Sequence, residues 1–295
     1  MARIVGGIGS SHAPSIAHAY DHGLADDPKW APLFAGYRPA KQWLAAQDPD
    51  LLIVIYNDHA NRFFFDAYPT FALGVGDIHE LADEGWGKRD FPAIPGNAAF
   101  GWHLAESLVA DEFDPTLCQE MRIDHGILSI LPLLCDVPWP TPVIPLAVNV
   151  IQPPLPTARR LYKLGHALRR AVESYPEDLR VVVVGTGGLS HQLQGARFGF
   201  VNPEWDNQFL DQIERDPEAL AALGHRDYTE RGGTEGVEMI MWLGMRGALG
   251  PAVRCVHRTY CTPSITGLGL LVLEPSPSPA PREREGPSAQ RALGG

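Results

Sequence analysis

Apolar runs along this chain repeatedly end in a polar break. ARIVGGIGSS runs into His12, LLIVIYND into His59 and VVVVGTGGLS into His191, while a carboxylate, Glu238, interrupts EGVEMIMWL. Uninterrupted apolar runs of this kind suit strands covered on both faces, as in an α/β sheet. Ligands of such sheets collect in the crevice beyond the strand ends, so polar residues placed there are poised for chemistry. The pattern predicts strands over Ile4–Ile8, Leu51–Tyr56, Thr70–Val75, Val143–Val150 and Leu179–Val184. It predicts helix over part of Trp30–Trp43, through Trp102–Leu108, over Ala158–Tyr175 and over Asp206–Leu223, with a buried helix at Ile127–Leu134. A further helix opens at Thr234 as N-cap and ends near Gly250, which puts Glu238 in its second turn. The Gly- and Pro-rich stretch from Gly85 to Gly96 reads as a loop long enough to be functional.

These elements make one large α/β domain over residues 1–274, a central mixed sheet flanked by helices with its active site at the strand ends. Residues 275–295, with PSPSPAPREREGPS, carry too little apolar surface to offset chain entropy and read as a disordered tail.

The formal charge of -11 and the scattered basic residues argue against a nucleic-acid partner, since binding phosphates needs clustered Lys and Arg. No apolar stretch approaches the roughly 20 residues that cross a bilayer, so no membrane partner is expected. Cys118, Cys135, Cys255 and Cys261 show no CxxC spacing, and the N-terminus lacks a leader pattern; a cytoplasmic location is expected.

A lone histidine is more often structural than a ligand, and His18, His22, His79, His103, His166, His225 and His257 take that reading. His12 and His59 differ because each follows a strand in a polar break. Glu238 lies among Val237, Met239, Ile240, Met241 and Trp242, where a carboxylate is costly to bury without a cation or donors. Two histidines and one carboxylate suggest non-haem iron(II), although zinc accepts the same donors. GTGGLSH has neither the GK[ST] ending of a phosphate loop nor GxGxxG spacing, and GLSHQ is not the GxSxG of a hydrolase.

The metal follows from a resemblance. SSHAPSIA, YNDHA, ADEGWG, DHG, GTGGLSHQLQG and EGVEMIMWLGMRGAL occur in order, and together they resemble the class III extradiol ring-cleaving dioxygenases, the family of protocatechuate 4,5-dioxygenase β subunits and gallate dioxygenases. The resemblance covers nearly all of the chain before the tail. It implies Fe(II) held by His12, His59 and Glu238, with His191 as catalytic acid/base, and Asn57, His125 and Ser264 as substrate-binding or supporting residues. The implied reaction opens a catecholic acid with O2 beside its diol, giving a muconic semialdehyde-type product. Protocatechuate is the expected substrate, with gallate or 3-O-methylgallate as the alternative. The implied assembly is a homodimer, or an α2β2 complex with a small α subunit. A rival of another class is a non-catalytic metal- or ligand-binding homologue, against which the retention of all four site residues argues.

Overall fold

The computed structural model describes residues 1–276. The strands are β1 (Arg3–Ser10), β2 (Leu51–Tyr56), β3 (Phe71–Gly74), β4 (Ile78–His79), β5 (Ile94–Pro95), β6 (Thr116–Cys118), β7 (Val143–Val148), β8 (Arg180–Thr186), β9 (Val253–Cys261) and β10 (Leu268–Pro275). Eight of them form one mixed sheet in the order β6-β3-β7-β2-β8-β1-β10-β9, and β4 pairs with β5 in a separate ribbon. The central β7, β2, β8 and β1 run parallel, whereas β3 and β10 join this block antiparallel. The expected architecture of a mixed sheet between helices is therefore observed.

Strand residues alternate between two cores. Leu51, Ile53, Ile55, Val181 and Val183 pack on one side, with helices Ala98–Ala110, Ala158–Ser174, Pro203–Arg215 and Ile240–Ala248. Leu52, Val54, Tyr56, Val182 and Val184 pack on the other, with helices Pro14–Asp21 and Ala31–Gln47 and the segment 127–134. Burying each such aliphatic side chain contributes roughly 1.5–3 kcal/mol, which is why both faces of these strands must be apolar. Glycine lets the helix Ile240–Ala248 come close. A Cβ on Gly9 would lie 2.2 Å from the Trp242 ring, and one on Gly165 would lie 2.3 Å from the Gly244 carbonyl oxygen. Arg246 is buried beneath that helix, its Nε donating to the Ile213 carbonyl (2.9 Å) and its Nη1 to the Gly250 carbonyl (2.6 Å). It thereby satisfies carbonyls at two helix C-termini.

Several boundaries differ from expectation. The Asp206–Leu223 helix breaks at Asp216, because Pro217 cannot continue a hydrogen-bonded turn and instead starts a second helix, Pro217–Ala222, capped by Asp216. The Ile127–Leu134 run forms two short helices, His125–Leu128 and Leu131–Leu134, the second with Pro132 in its first turn. Thr234 stands at the N-cap position of the Glu235–Met239 turn as expected, but its backbone is helical and its hydroxyl donates to Glu235 rather than capping a backbone N–H. Glu238 consequently sits in a 3-10 turn, Glu235–Met239, ahead of the α-helix rather than in its second turn. Pro275 ends β10 and Ser276 N–H bonds to the Ala252 carbonyl, so the expected tail cannot begin at residue 275; its remainder, 277–295, lies outside the described residues.

His79 on β4 is fully buried, with neither ring nitrogen hydrogen-bonded, and burial pulls its pKa down to about 4. The unfolded chain then binds a proton between roughly pH 6.5 and pH 4 that the folded chain refuses. His79 therefore contributes stability that is present above about pH 6.5 and lost as pH falls toward 4, on the order of 3 kcal/mol in total. Urea titrations across this window should show the loss, and His79→Leu should flatten the slope; an unchanged slope would refute the assignment.

Candidate metal centre

The loops after four parallel strands meet in one cavity of about 660 Å³, whose lining includes His12, Ser15, His59, His125, Val150, His191, Glu235, Glu238, Ser264 and Thr266. His12 follows β1, His59 follows β2, Val150 follows β7 and His191 follows β8. Residues 41 to 179 positions apart are thus brought together because the strands that carry them are neighbours in the sheet. Glu238 arrives from the 3-10 turn that the Ile240–Ala248 helix lays across β1 and β8.

Each histidine has its Nδ1 occupied. His12 Nδ1 lies 2.9 Å from the Thr186 hydroxyl, His59 Nδ1 3.1 Å from Asp124 Oδ2, His125 Nδ1 2.5 Å from Glu84 Oε2, and His191 Nδ1 2.9 Å from the Leu189 carbonyl. A carbonyl or ionised carboxylate can only accept, so Nδ1 is the donor in His59, His125 and His191. That leaves Nε2 as the second ring nitrogen, without a protein partner in His12 and set against the Asn57 amide in His59; an outer partner on Nδ1 is the usual way in which a ligand's tautomer is fixed.

His12 Nε2 is buried and has no hydrogen-bond partner. Glu238 Oε2 lies 3.5 Å away, beyond good hydrogen-bond length, and accepts instead from Gly188 N–H at 2.8 Å. Burial, and then the neighbouring His59, lower the His12 pKa well below the ordinary histidine value, so the pair is a neutral imidazole facing a carboxylate rather than a salt bridge. The His12 and His59 rings stand edge to face with centroids 5.1 Å apart. A nitrogen from each of His12, His59 and His125 falls within a 4.8 Å group. An orphaned imidazole nitrogen beside a buried carboxylate and a second imidazole is a donor set that suits a divalent transition metal.

Asp124 is fully buried and serves His59 twice, accepting from its backbone N–H at 2.7 Å as well as facing Nδ1; it also accepts from Asn61 Nδ2 and Gly126 N–H. Burial alone would push this carboxyl up, but the contact with His59 outweighs it and holds Asp124 below the usual carboxylate range. The converse holds for His59: burial draws its pKa down, yet Asp124 raises it to about 9. Asn57 is buried with its Nδ2 3.0 Å from His59 Nε2, and its Oδ1 is unpartnered. Rotating that amide lets Oδ1 accept from a protonated Nε2.

His191 is fixed by its own backbone. Its N–H donates to the Gly232 carbonyl at 2.7 Å, and Gly233, at φ +87°, passes so close that a Cβ there would lie 2.1 Å from the His191 carbonyl oxygen. Next to it, buried Asp206 accepts from Ser190 N–H, the Ser190 hydroxyl and the Tyr260 hydroxyl at 2.7–2.8 Å. Burial raises the Asp206 pKa despite those donors. The network explains Ser190 as a structural anchor and leaves no hydrolytic pair with His191.

The structure thus gathers every residue expected at the site: His12, His59, His125, His191, Glu238 and Ser264 line the cavity, and Asn57 stands behind His59. The seven histidines read as structural stay out of this cavity, although His18 and His22 line a neighbouring one. Asp124, Glu84, Thr186 and Asp206 were not anticipated in any role. Asp124 was signalled by the Asp124-His125-Gly126 polar break; Glu84 and Thr186 fall within the ADEGWG and GTGGLSHQLQG segments without a role of their own, and Asp206 had no mark that a surface residue would lack.

Comparisons with known proteins identify the family. Residues 6–270 match the family described as the catalytic LigB subunit of aromatic ring-opening dioxygenase. A gallate dioxygenase of Pseudomonas putida is 52% identical over 196 residues, 66% of this chain and 58% of that protein, so the chain spans under two thirds of this relative's length. A 2,3-dihydroxyphenylpropionate/2,3-dihydroxicinnamic acid 1,2-dioxygenase of Cupriavidus necator is 31% identical over 258 residues, covering 71% of this chain and 79% of the relative. Among solved structures, an uncharacterized protein of Escherichia coli K12 shares the fold with a TM-score of 0.56 at 14% identity, covering 90% of this chain and 99% of the other. No helix among the described residues is long and apolar enough to cross a membrane. The chain belongs to the family of catalytic LigB subunits of aromatic ring-opening dioxygenases.

Proposed function

We propose that this chain is an Fe(II)-dependent extradiol dioxygenase with His12, His59 and Glu238 as metal ligands, His191 as acid/base, and gallate as substrate. The observation that carries the reading is the unpartnered His12 Nε2 at 3.5 Å from Glu238, beside His59, in residues that line a cavity large enough for an aromatic acid. Similarity to a gallate dioxygenase supports gallate over the protocatechuate that the sequence suggested. The proposed product is the corresponding ring-opened muconic acid derivative, with no external reductant consumed.

Three protein donors on one side leave coordination positions at which a ferrous ion would bring a catecholate and O2 together. The remaining work falls to the chain. With Nδ1 bound to the Leu189 carbonyl, His191 offers Nε2 to take a phenolic proton and to return it as the ring opens. Asp124 holds His59 in orientation, and Gly188 N–H holds Glu238. Ser264 and Thr266 supply hydroxyls to a cavity wall that the apolar Val150 and Ile151 also line, and Ser264 is assigned to the substrate carboxylate. The proposed assembly remains a homodimer or an α2β2 complex; Leu193 and Ile265, which line the cavity and are 49% and 38% exposed, are residues a partner would cover.

Oxygen uptake by ferrous-loaded protein should be fastest with gallate, slower with protocatechuate and 3-O-methylgallate; preference for protocatechuate would overturn the substrate assignment. His59→Ala and Glu238→Ala should lose bound iron and turnover together, whereas His191→Ala should retain iron and lose turnover by roughly 10²–10⁴-fold. Asp124→Asn should weaken metal binding by roughly 10- to 100-fold while the fold, followed by circular dichroism, persists. Iron-replete, active variants would sink the ligand assignment.

A further inference from the structure

Glu84 lies in the loop between β4 and β5, where its neighbours Asp83, Gly85, Trp86 and Gly87 are all exposed. Its own side chain turns inward and is 8% exposed. Both oxygens are spent on one residue: Oε1 accepts from His125 N–H at 2.9 Å, and Oε2 faces His125 Nδ1 at 2.5 Å. A buried carboxylate needs such donors to offset its desolvation, and in return it dictates where the imidazole proton sits. Asp124 grips His59 by the same two atoms, backbone N–H and Nδ1. The two clamped rings lie 3.8 Å apart between centroids and are inclined by 31°, so each carboxylate sets one member of an adjacent pair.

The loop is built to deliver this side chain. Asp83 Oδ1 accepts from Gly85 and Gly87 N–H at 2.9 and 3.0 Å, and both glycines have φ above +90°. Ala82 N–H bonds to the Ile123 carbonyl and Ile123 N–H to the Glu80 carbonyl, which ties the segment before Glu84 to the one before Asp124. Glu84, Asp124 and His125 also offer ligand atoms within 4.8 Å of one another. They do not constitute a second metal site, because the His125 nitrogen nearest Glu84 is its hydrogen-bonded Nδ1 and Asp124 already serves His59, Asn61 and Gly126.

We propose that Glu84 is a positioning residue for ring opening, acting through His125: its bidentate clamp fixes the Nδ1–H tautomer and presents Nε2 to the cavity where the catechol binds. The proposal rests on the dioxygenase reading above. In Glu84→Gln an amide NH2 replaces one of the two acceptor oxygens and must face either the His125 backbone N–H or its Nδ1–H, so the variant isolates the clamp with little change of volume.

The test joins kinetics to a spectroscopic signature. Glu84→Gln should lower kcat/KM by roughly 10- to 100-fold while ferrous affinity, measured by titration, stays at the wild-type value. The double variant Glu84→Gln/His125→Ala should lose no more than His125→Ala alone, because Glu84 acts only through that ring. Ring ¹⁵N NMR of His125 in metal-free protein should show the Nδ1–H tautomer in wild type and its loss in Glu84→Gln; Glu84→Asp, should the glutamine variant fold poorly, should show the same loss. Unchanged ¹⁵N signals, or losses that multiply in the double variant, would overturn the role. An active wild type with an unaffected variant overturns this role alone, whereas a wild type that consumes no oxygen with any catechol overturns the dioxygenase reading and the role together.

Discussion

The seating of Trp242 on the glycines of the central strands is the contact on which the site depends. Gly9 in β1 and Gly185 in β8 leave room for Trp242, whose ring would meet a Cβ at residue 9 and whose Cα would lie 2.9 Å from a Cβ at residue 185. The indole also donates from Nε1 to the Gly187 carbonyl at 3.1 Å, directly below the turn that carries Gly188. Glu238 precedes Trp242 by one helical turn, so the packing of one aromatic ring sets the height of the carboxylate against the ends of β1 and β8. Arg246, on the same helix, ties it to the end of the Pro203–Arg215 helix through the Ile213 carbonyl and closes its own C-terminal turn on the Gly250 carbonyl.

Around that frame, the site is an arrangement of buried acids and imidazoles whose protons have assigned places. Glu238, Asp124 and Glu84 all carry side chains largely removed from water. A carboxylate in such surroundings is tolerable only with donors or a cation nearby. Asp124 and Glu84 find donors in the histidines they hold. Glu238 has one backbone N–H and faces an imidazole nitrogen that makes no hydrogen bond, which is the imbalance a divalent cation would correct.

The polar breaks made much of the centre legible in the sequence. His12, His59 and His191 each follow an apolar run that could only be a strand covered on both sides, and Leu51–Tyr56 alternates between the two cores as that reading requires. Glu238 stood out because charge among Val, Met, Ile and Trp is expensive. Less was legible where chemistry is set by partners distant in sequence. Glu84 looks like an ordinary loop acid until the β4–β5 loop folds beside residue 123. Asp206 looks like a helix-start acid until Ser190 and Tyr260 converge on it.

By itself, then, the chain determined its layers and its strand ends, because burial on two faces writes a periodic signal into consecutive residues. It also determined the Gly187-Gly188 turn, since glycine acts on its immediate neighbours. Only the tertiary structure decided strand order, the 3-10 turn at Glu238 in place of a regular helix, and which carboxylate holds which histidine. Those outcomes rest on close approaches between segments tens to hundreds of residues apart, and no local pattern encodes a distance across the sheet.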